Sequence, residues 1–508
     1  MPTADSSTRR VRRTVADVRH LLWFRAAQVR RGRAGPWLAA GFVVLTAAAA
    51  VVPAYMPGAG AGEGRAFELV LLLPTAMAGF LVLAAVSAGA SGGGRELLAR
   101  DPAQIHPVSP TTDHLGALLL APLNIAWLLQ AWMLLGVTAY GLGTGSLAPA
   151  QIVLLLWLCA ATASAQVIAW SLECVRRLQH GIAAVRVLMV VVLGAALVLQ
   201  MTGALVPLLD RIPTTWVVVG MLSNWSWRWA VTALVVLGVL VVATALGAVP
   251  AHLAARRTPR DELKVETGTR QARRMPRSAL AGLIRTDRAS VWRAVPMRRG
   301  LAVLALGPGL VAVLGNLPWS SITVLPGLVA SGGALLYGVN AWCLDARGAL
   351  WRESLPVPPG AVFAARAYVL AEFLLAASLL TVALAATRAG VPSLAELTAL
   401  VCTQLVVTVQ VVAAALRWSA QRPYAVDLRS ARATPAPPLT MVGYSTRLAI
   451  STTLTGLVFS AMTRVSDWQL SVVVAVPFLC WSAARLLRTG RAWTDPVDRA
   501  RVVMAVAA

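Results

Sequence analysis

Apolar runs of bilayer length recur through this chain, separated by segments that hold most of its arginines. Stretches of about 20 apolar residues with few charges cross membranes as helices. Six can be drawn in the first half, at roughly 35–56, 66–90, 114–140, 147–173, 187–207 and 228–249. Six more follow at roughly 300–318, 321–343, 362–386, 394–417, 443–463 and 468–487. The spacing predicts an all-α polytopic membrane protein of about twelve transmembrane helices. Charged residues make up 13% of the chain, against about 25% in a soluble domain. A short apolar stretch from Ile212 to Trp225 reads as a re-entrant or interfacial segment.

Arginine placement gives the expected orientation. With both termini cytoplasmic, 40 of the 45 Lys and Arg residues fall on the inner side. Only Arg65, Arg211, Arg228, Arg388 and Arg464 fall outside. Inner loops collect basic residues in this way, so an odd number of spans in either half would scramble the pattern. The net charge of +24 therefore points to the inner face of a cell membrane. It does not point to nucleic acid, since no aromatic residues interleave the arginines to stack bases. The basic N-terminus imitates a signal peptide. Its counterpart in the second half is internal, so the first span is read as retained. Cys159, Cys174, Cys343, Cys402 and Cys480 form no CxxC and read as buried free thiols.

Two landmarks repeat in the same order. Phe24-Arg25-Ala26-Ala27-Gln28-Val29-Arg30-Arg31-Gly32 is matched by Trp292-Arg293-Ala294-Val295-Pro296-Met297-Arg298-Arg299-Gly300. Each copy stands before a first span and closes a basic amphipathic segment. Val15, Val18, Leu22, Ala26 and Val29 recur at helical intervals in one, as do Leu280, Ile284, Val291 and Val295 in the other. Such a helix lies in the interface; alternatively, each one extends the span that follows it. Pro36 and Pro296 favour a bend at the junctions. The second landmark is the loop after span two of each half. It reads His106-Pro107-Val108-Ser109-Pro110 in one and Leu355-Pro356-Val357-Pro358-Pro359 in the other. Prolines stiffen such a loop and suit it to transmit force, although a plain chain reversal is the other reading. Repetition in fixed order implies two tandem six-helix repeats, each preceded by an interfacial helix. The domains are then 1–34 (basic N-terminus and interfacial helix), 35–249 (first repeat), 250–299 (linker and second interfacial helix), 300–487 (second repeat) and 488–508 (cytoplasmic tail).

No catalytic constellation is visible. Lys264 is the only lysine and sits in no glycine loop, so the chain has no P-loop of its own. His20, His106, His114, His180 and His252 show no metal-ligand spacing, and no Gly-x-Ser-x-Gly elbow occurs. Few ionisable groups fall within the spans. Glu372 is the clearest; Arg366 and Arg447 lie near the inner boundary. An ion-coupled carrier would use Glu372 as its coupling residue. The amides Asn124, Gln130, Gln166, Gln404 and Gln410 either line a path or bond between helices.

The passages Asp287 to Gly300 and Gly338-Val339-Asn340-Ala341-Trp342-Cys343-Leu344-Asp345 resemble the type-2 ABC exporter permeases, in the fused actinobacterial form with two six-span units. The order of interfacial helix, two spans, proline loop and four spans is similar over nearly the whole length. That resemblance implies a permease subunit, not an enzyme, docked to separate cytoplasmic P-loop ATPase subunits, two copies per complex. The ATPases would bind ATP, and the chain itself would carry no cofactor or metal. It also implies that 14–34 with 95–113, and 278–299 with 347–361, face the ATPases. The candidate coupling residues are then Arg25, Pro107, Val108 and Pro110 in one half and Arg293, Pro356, Val357 and Pro359 in the other. An ion-coupled carrier and a non-transporting membrane scaffold stand as the other readings.

Overall fold

The computed structural model describes residues 13–23, 35–90, 108–123, 125–204, 207–208, 211–257, 276–336, 338–346, 348–426, 436 and 438–507. Among the described residues every regular element is a helix. The chain divides into two compact units, Met1–Lys264 and Val265–Ala508.

The first unit holds α1 (13–23), α2 (Gly35–Val51), α3 (Gly64–Ala90), α4 (Pro110–Leu120), α5 (Ile125–Leu142), α6 (Leu147–Arg176), α7 (Gly181–Met201), α8 (Pro213–Leu222) and α9 (Trp227–Ala255). Its core joins Leu73, Met77 and Phe80 of α3, Leu135 of α5, and Val153, Leu154 and Leu158 of α6. Met221 of α8 and Val236 of α9 complete it. The outer face of α9 is aliphatic and exposed at Leu234, Val235, Val239, Val242 and Leu246. An exposed face of this length and character belongs against lipid. Gly60 and Gly143 both take left-handed backbone angles, φ 68° and 63°. Their backbones approach so closely that a Cβ on either would meet the other's Cα within 3 Å. This fastens the 57–63 loop to the end of α5.

The second unit holds α10 (Ala279–Arg293), α11 (Val295–Leu314), α12 (Trp319–Ile322), α13 (Leu325–Leu336), α14 (Gly348–Glu353), α15 (Pro359–Ala389), α16 (Leu394–Gln421), α17 (Pro438–Met462), α18 (Gln469–Thr494) and α19 (Pro496–Ala507). Its core runs through Val329 of α13, Val369, Leu370 and Leu374 of α15, and Val407, Val411 and Leu416 of α16. Local chemistry sets the helix starts. Ser109, Ser226, Ser278 and Ser393 each accept the N–H three residues on, and Ser393 forms a full capping box with Glu396.

The protein is thus an all-α polytopic membrane protein. Among the described residues seven helices are long and apolar enough to cross, or eight if α10 and α11 count as one bent span. The drawn spans differ from the helices at identifiable places. The 114–140 run splits into α4 and α5 around a short 3-10 turn, Ala121–Leu123, that contains Pro122. The 321–343 run stops at Leu336, and residues 338–346 fold into turns. The 187–207 run becomes α7, which begins at Gly181. α17 is long enough, but Arg447 and its Ser and Thr residues lower its hydropathy. The 488–508 tail is helical: α18 runs on to Thr494 and α19 follows. At residues 294–296 the helix axis bends by 83°, where Pro296 removes a backbone donor.

Candidate functional site

The densest polar cluster of the second unit is built on Arg366, two turns into α15 and 2% exposed. A guanidinium at that depth is tolerable only with its charge and donors matched. Nε and Nη2 donate to Asp287 of α10 at 2.9 and 3.1 Å. Nη2 also donates to Asp345 at 2.8 Å, and Nη1 bonds the Ala341 carbonyl. Arg352 of α14 donates to the other oxygen of Asp345 at 2.6 Å. Two aspartates and two arginines therefore balance within one group. The planar fork fixes direction as well as charge, so α10, the 338–346 turn, α14 and α15 are held in one geometry.

Aromatic stacking adds a fifth element. The Arg366 and Arg352 guanidiniums lie 5.1 and 5.9 Å from the ring centre of Trp342. Trp342 stacks on Trp493 at 3.8 Å, with the planes 5° apart. Trp493 ends α18, and α19 then folds back with Val502, Val503 and Val506 buried. Arg499 of α19 pairs with Glu353 of α14 at 2.8 Å. Between them lies a cavity of about 310 Å³, lined by Arg352, Glu353, Leu355 to Pro359, Val362 and Arg499.

Several sequence-selected residues fall in or beside this group. Pro356, Val357 and Pro359 line the cavity. Pro359 is also the first residue of α15, as Pro110 is of α4 after Val108 and the Ser109 cap. The last proline of each motif therefore starts a helix, where a missing N–H costs nothing. Arg293 is exposed in the last turn of α10, beside the bend. Arg25, Pro107 and Asn124 lie outside the described residues.

The intramembrane candidates are committed elsewhere. Glu372 accepts from Arg288 of α10 at 2.7 Å. It is a second tie between α10 and α15, one turn and a half beyond Arg366. Gln410 bonds Ser451 and accepts from Thr455 at 3.2 Å, joining α16 to α17. Gln404 accepts from Ser378 at 2.6 Å, joining α16 to α15. Gln166 is buried in α6.

The first unit handles its arginines differently. Arg177, at the end of α6, pairs with Glu173 at 3.0 Å and bonds the carbonyls of Ala254 and Arg257 at the end of α9. Arg257 returns a bond to the Cys174 carbonyl at 2.9 Å. These cations satisfy the orphan carbonyls of two helix C-termini. Aligning the Pro-Val motifs places Ala117 where the second unit has Arg366. His114 is fully buried nearby, with Nε2 bonded to the Thr244 carbonyl at 3.1 Å and Gly247 against its ring.

Sequence reasoning singled out the passages around Asp287 and Asp345 but not their convergence on Arg366. The available signal was charge scarcity. With 21 acidic residues in 508, an arginine inside an apolar run needs particular partners, and few exist. Among the described residues no group of three or more His, Cys, Asp or Glu could hold a metal. The chain matches no family model, no curated protein and no solved structure.

Proposed function

We propose that this chain is the membrane-spanning subunit of an ATP-driven exporter, a permease without its own ATPase, moved by separate cytoplasmic P-loop ATPases. In this reading it has twelve spans as two six-span repeats, each preceded by an interfacial helix, in the cell membrane with both termini cytoplasmic. The observation that carries it is the joint around Arg366. A helix set at 83° to the next is locked by buried ion pairs to the span that the proline loop opens. A push on α10 or on Leu355–Pro359 would then move α15 as a lever instead of dissipating in the loop.

Two further observations support the layout. Contacts between loops favour a layout of twelve crossings. Thr111 meets His252 between segments drawn as inner, and Asn340, at the inner end of its drawn span, meets Tyr424 of the next inner segment. Tyr140 meets the 57–60 loop, Asn224 meets Gly145, and Trp319 meets Gly390 among segments drawn as outer. The same pairs also recur in order: α6 packs on α9 as α16 packs on α18, and α2 on α5 as α11 on α15. The carrier reading finds no such support, because the Glu372 carboxylate is already held by Arg288.

Purification of the intact chain from its own membranes tests the proposal. A P-loop ATPase should co-elute in about two copies per chain. Elution of the chain alone, with gradient-driven transport after reconstitution and no added ATPase, would overturn it.

A further inference from the structure

Two arginines of the second unit gather at one tryptophan. Arg422, at the end of α16, and Arg447, nine residues into α17, are both exposed. Their guanidiniums lie 4.7 and 5.8 Å from the ring centre of the same side chain, Trp418. Among the described residues neither makes a salt bridge or a side-chain hydrogen bond. Cation–π attraction holds both charges at one ring, which concentrates positive charge without neutralising it. The position suits the headgroup level, where Trp and Arg collect.

The surface beside this pair is aliphatic. Ile450, Leu454 and Leu457 follow Arg447 at helical spacing and are all more than half exposed. From Arg447 to Leu457 the helix rises about 15 Å. That is half of the roughly 30 Å hydrocarbon core, the depth of one leaflet. Charge at one end and an apolar track of leaflet depth below it match one kind of occupant.

We propose that Arg422 and Arg447, gathered at Trp418, bind the phosphate headgroup of an anionic phospholipid whose acyl chain lies along Ile450, Leu454 and Leu457. The site is specific for negative charge, because a zwitterionic headgroup brings its own cation to two unneutralised guanidiniums. It stands apart from the Arg366 joint and does not depend on what drives the protein.

Native mass spectrometry of the full chain in detergent, offered phosphatidylglycerol or phosphatidylcholine with the same acyl chains, tests it. Wild type should retain phosphatidylglycerol preferentially. R422Q/R447Q should lower that retention by about thirtyfold, roughly fivefold per basic side chain near an anionic headgroup. R422K/R447K should keep most of it, and R464Q should match wild type. The single variant R422Q, at an exposed helix end, should give the intermediate value and serves where the double variant does not fold. Equal retention of the two lipids by wild type, or undiminished phosphatidylglycerol on R422Q and R422Q/R447Q, would overturn the proposal. Displacement of the lipid by excess inorganic phosphate would overturn the lipid assignment in favour of a free anion.

Discussion

The two units end their helices in opposite electrostatic styles. Where α6 and α9 finish, Arg176, Arg177 and Arg257 reach out to helix-terminal carbonyls at Gly89, Ala254 and Cys174. Where α10 meets α15, Arg366 is buried and its charge is met by two carboxylates. Carbonyl caps are separable: each rests on a neutral acceptor, so losing one arginine leaves no unpaired charge at that carbonyl. A buried ion cluster is not separable, because removing one member leaves the others charged in a medium that cannot solvate them. The second unit is therefore built to move as a block at this end. The first ties neighbouring helix ends to one another through neutral carbonyls.

Substitutions should expose that difference, and the largest effect is expected at the hub. Arg366→Ala strands Asp287, leaves Asp345 to Arg352 alone, and should destabilise the protein by about 3–5 kcal/mol, read as a fall in the melting temperature of the detergent-solubilised chain. Trp493→Ala removes the stack on Trp342 and the anchor of α19, at about 3 kcal/mol; loss of protection on α19 in hydrogen exchange should accompany it. In the first unit Arg177→Ala should cost less, about 1.5–3 kcal/mol, the scale of hydrogen bonds to a charged group. A melting shift for Arg177→Ala equal to that of Arg366→Ala would break the comparison. The smallest effect belongs to Glu372→Gln. Its own side chain and that of Arg288 are 37% and 43% exposed, and the amide still offers Arg288 an acceptor, so the cost should stay well below that at the buried hub. Transport should survive this change, and abolition of gradient-driven uptake by it would revive the carrier reading.

Much of the fold was legible because hydrocarbon permits little else. Apolar runs became helices, and the proline-marked junction at 296 became an 83° bend. What escaped was structure held by partners distant in sequence. Residues 338–346 read as the end of a span because Val339, Ala341 and Trp342 are apolar. They fold as turns because Arg366 binds the Ala341 carbonyl, Ser419 accepts the Ala341 N–H, and Asn340 donates to Tyr424. Nothing local announces those bonds, and Ala346 even adopts a left-handed φ of 41°. The helical packing of the tail was hidden for the same reason. Val502, Val503 and Val506 form a buried stripe only because α14 is there to receive it. At the candidate site the proline loops could be found by repetition. Arg366 could not, because the first unit holds alanine at the aligned position and the repeat hides the hub.

The central claim is that the Arg366 joint passes work between an ATPase and α15. ATP hydrolysis by the complex purified from wild-type membranes and from R366Q membranes tests it directly, with R177Q as the first-unit comparison. The account predicts that all three chains retain the ATPase. It predicts that the hydrolysis rate changes clearly in R366Q and stays near wild type in R177Q. An unchanged rate in R366Q, or a wild-type chain that brings no ATPase with it, would contradict the account.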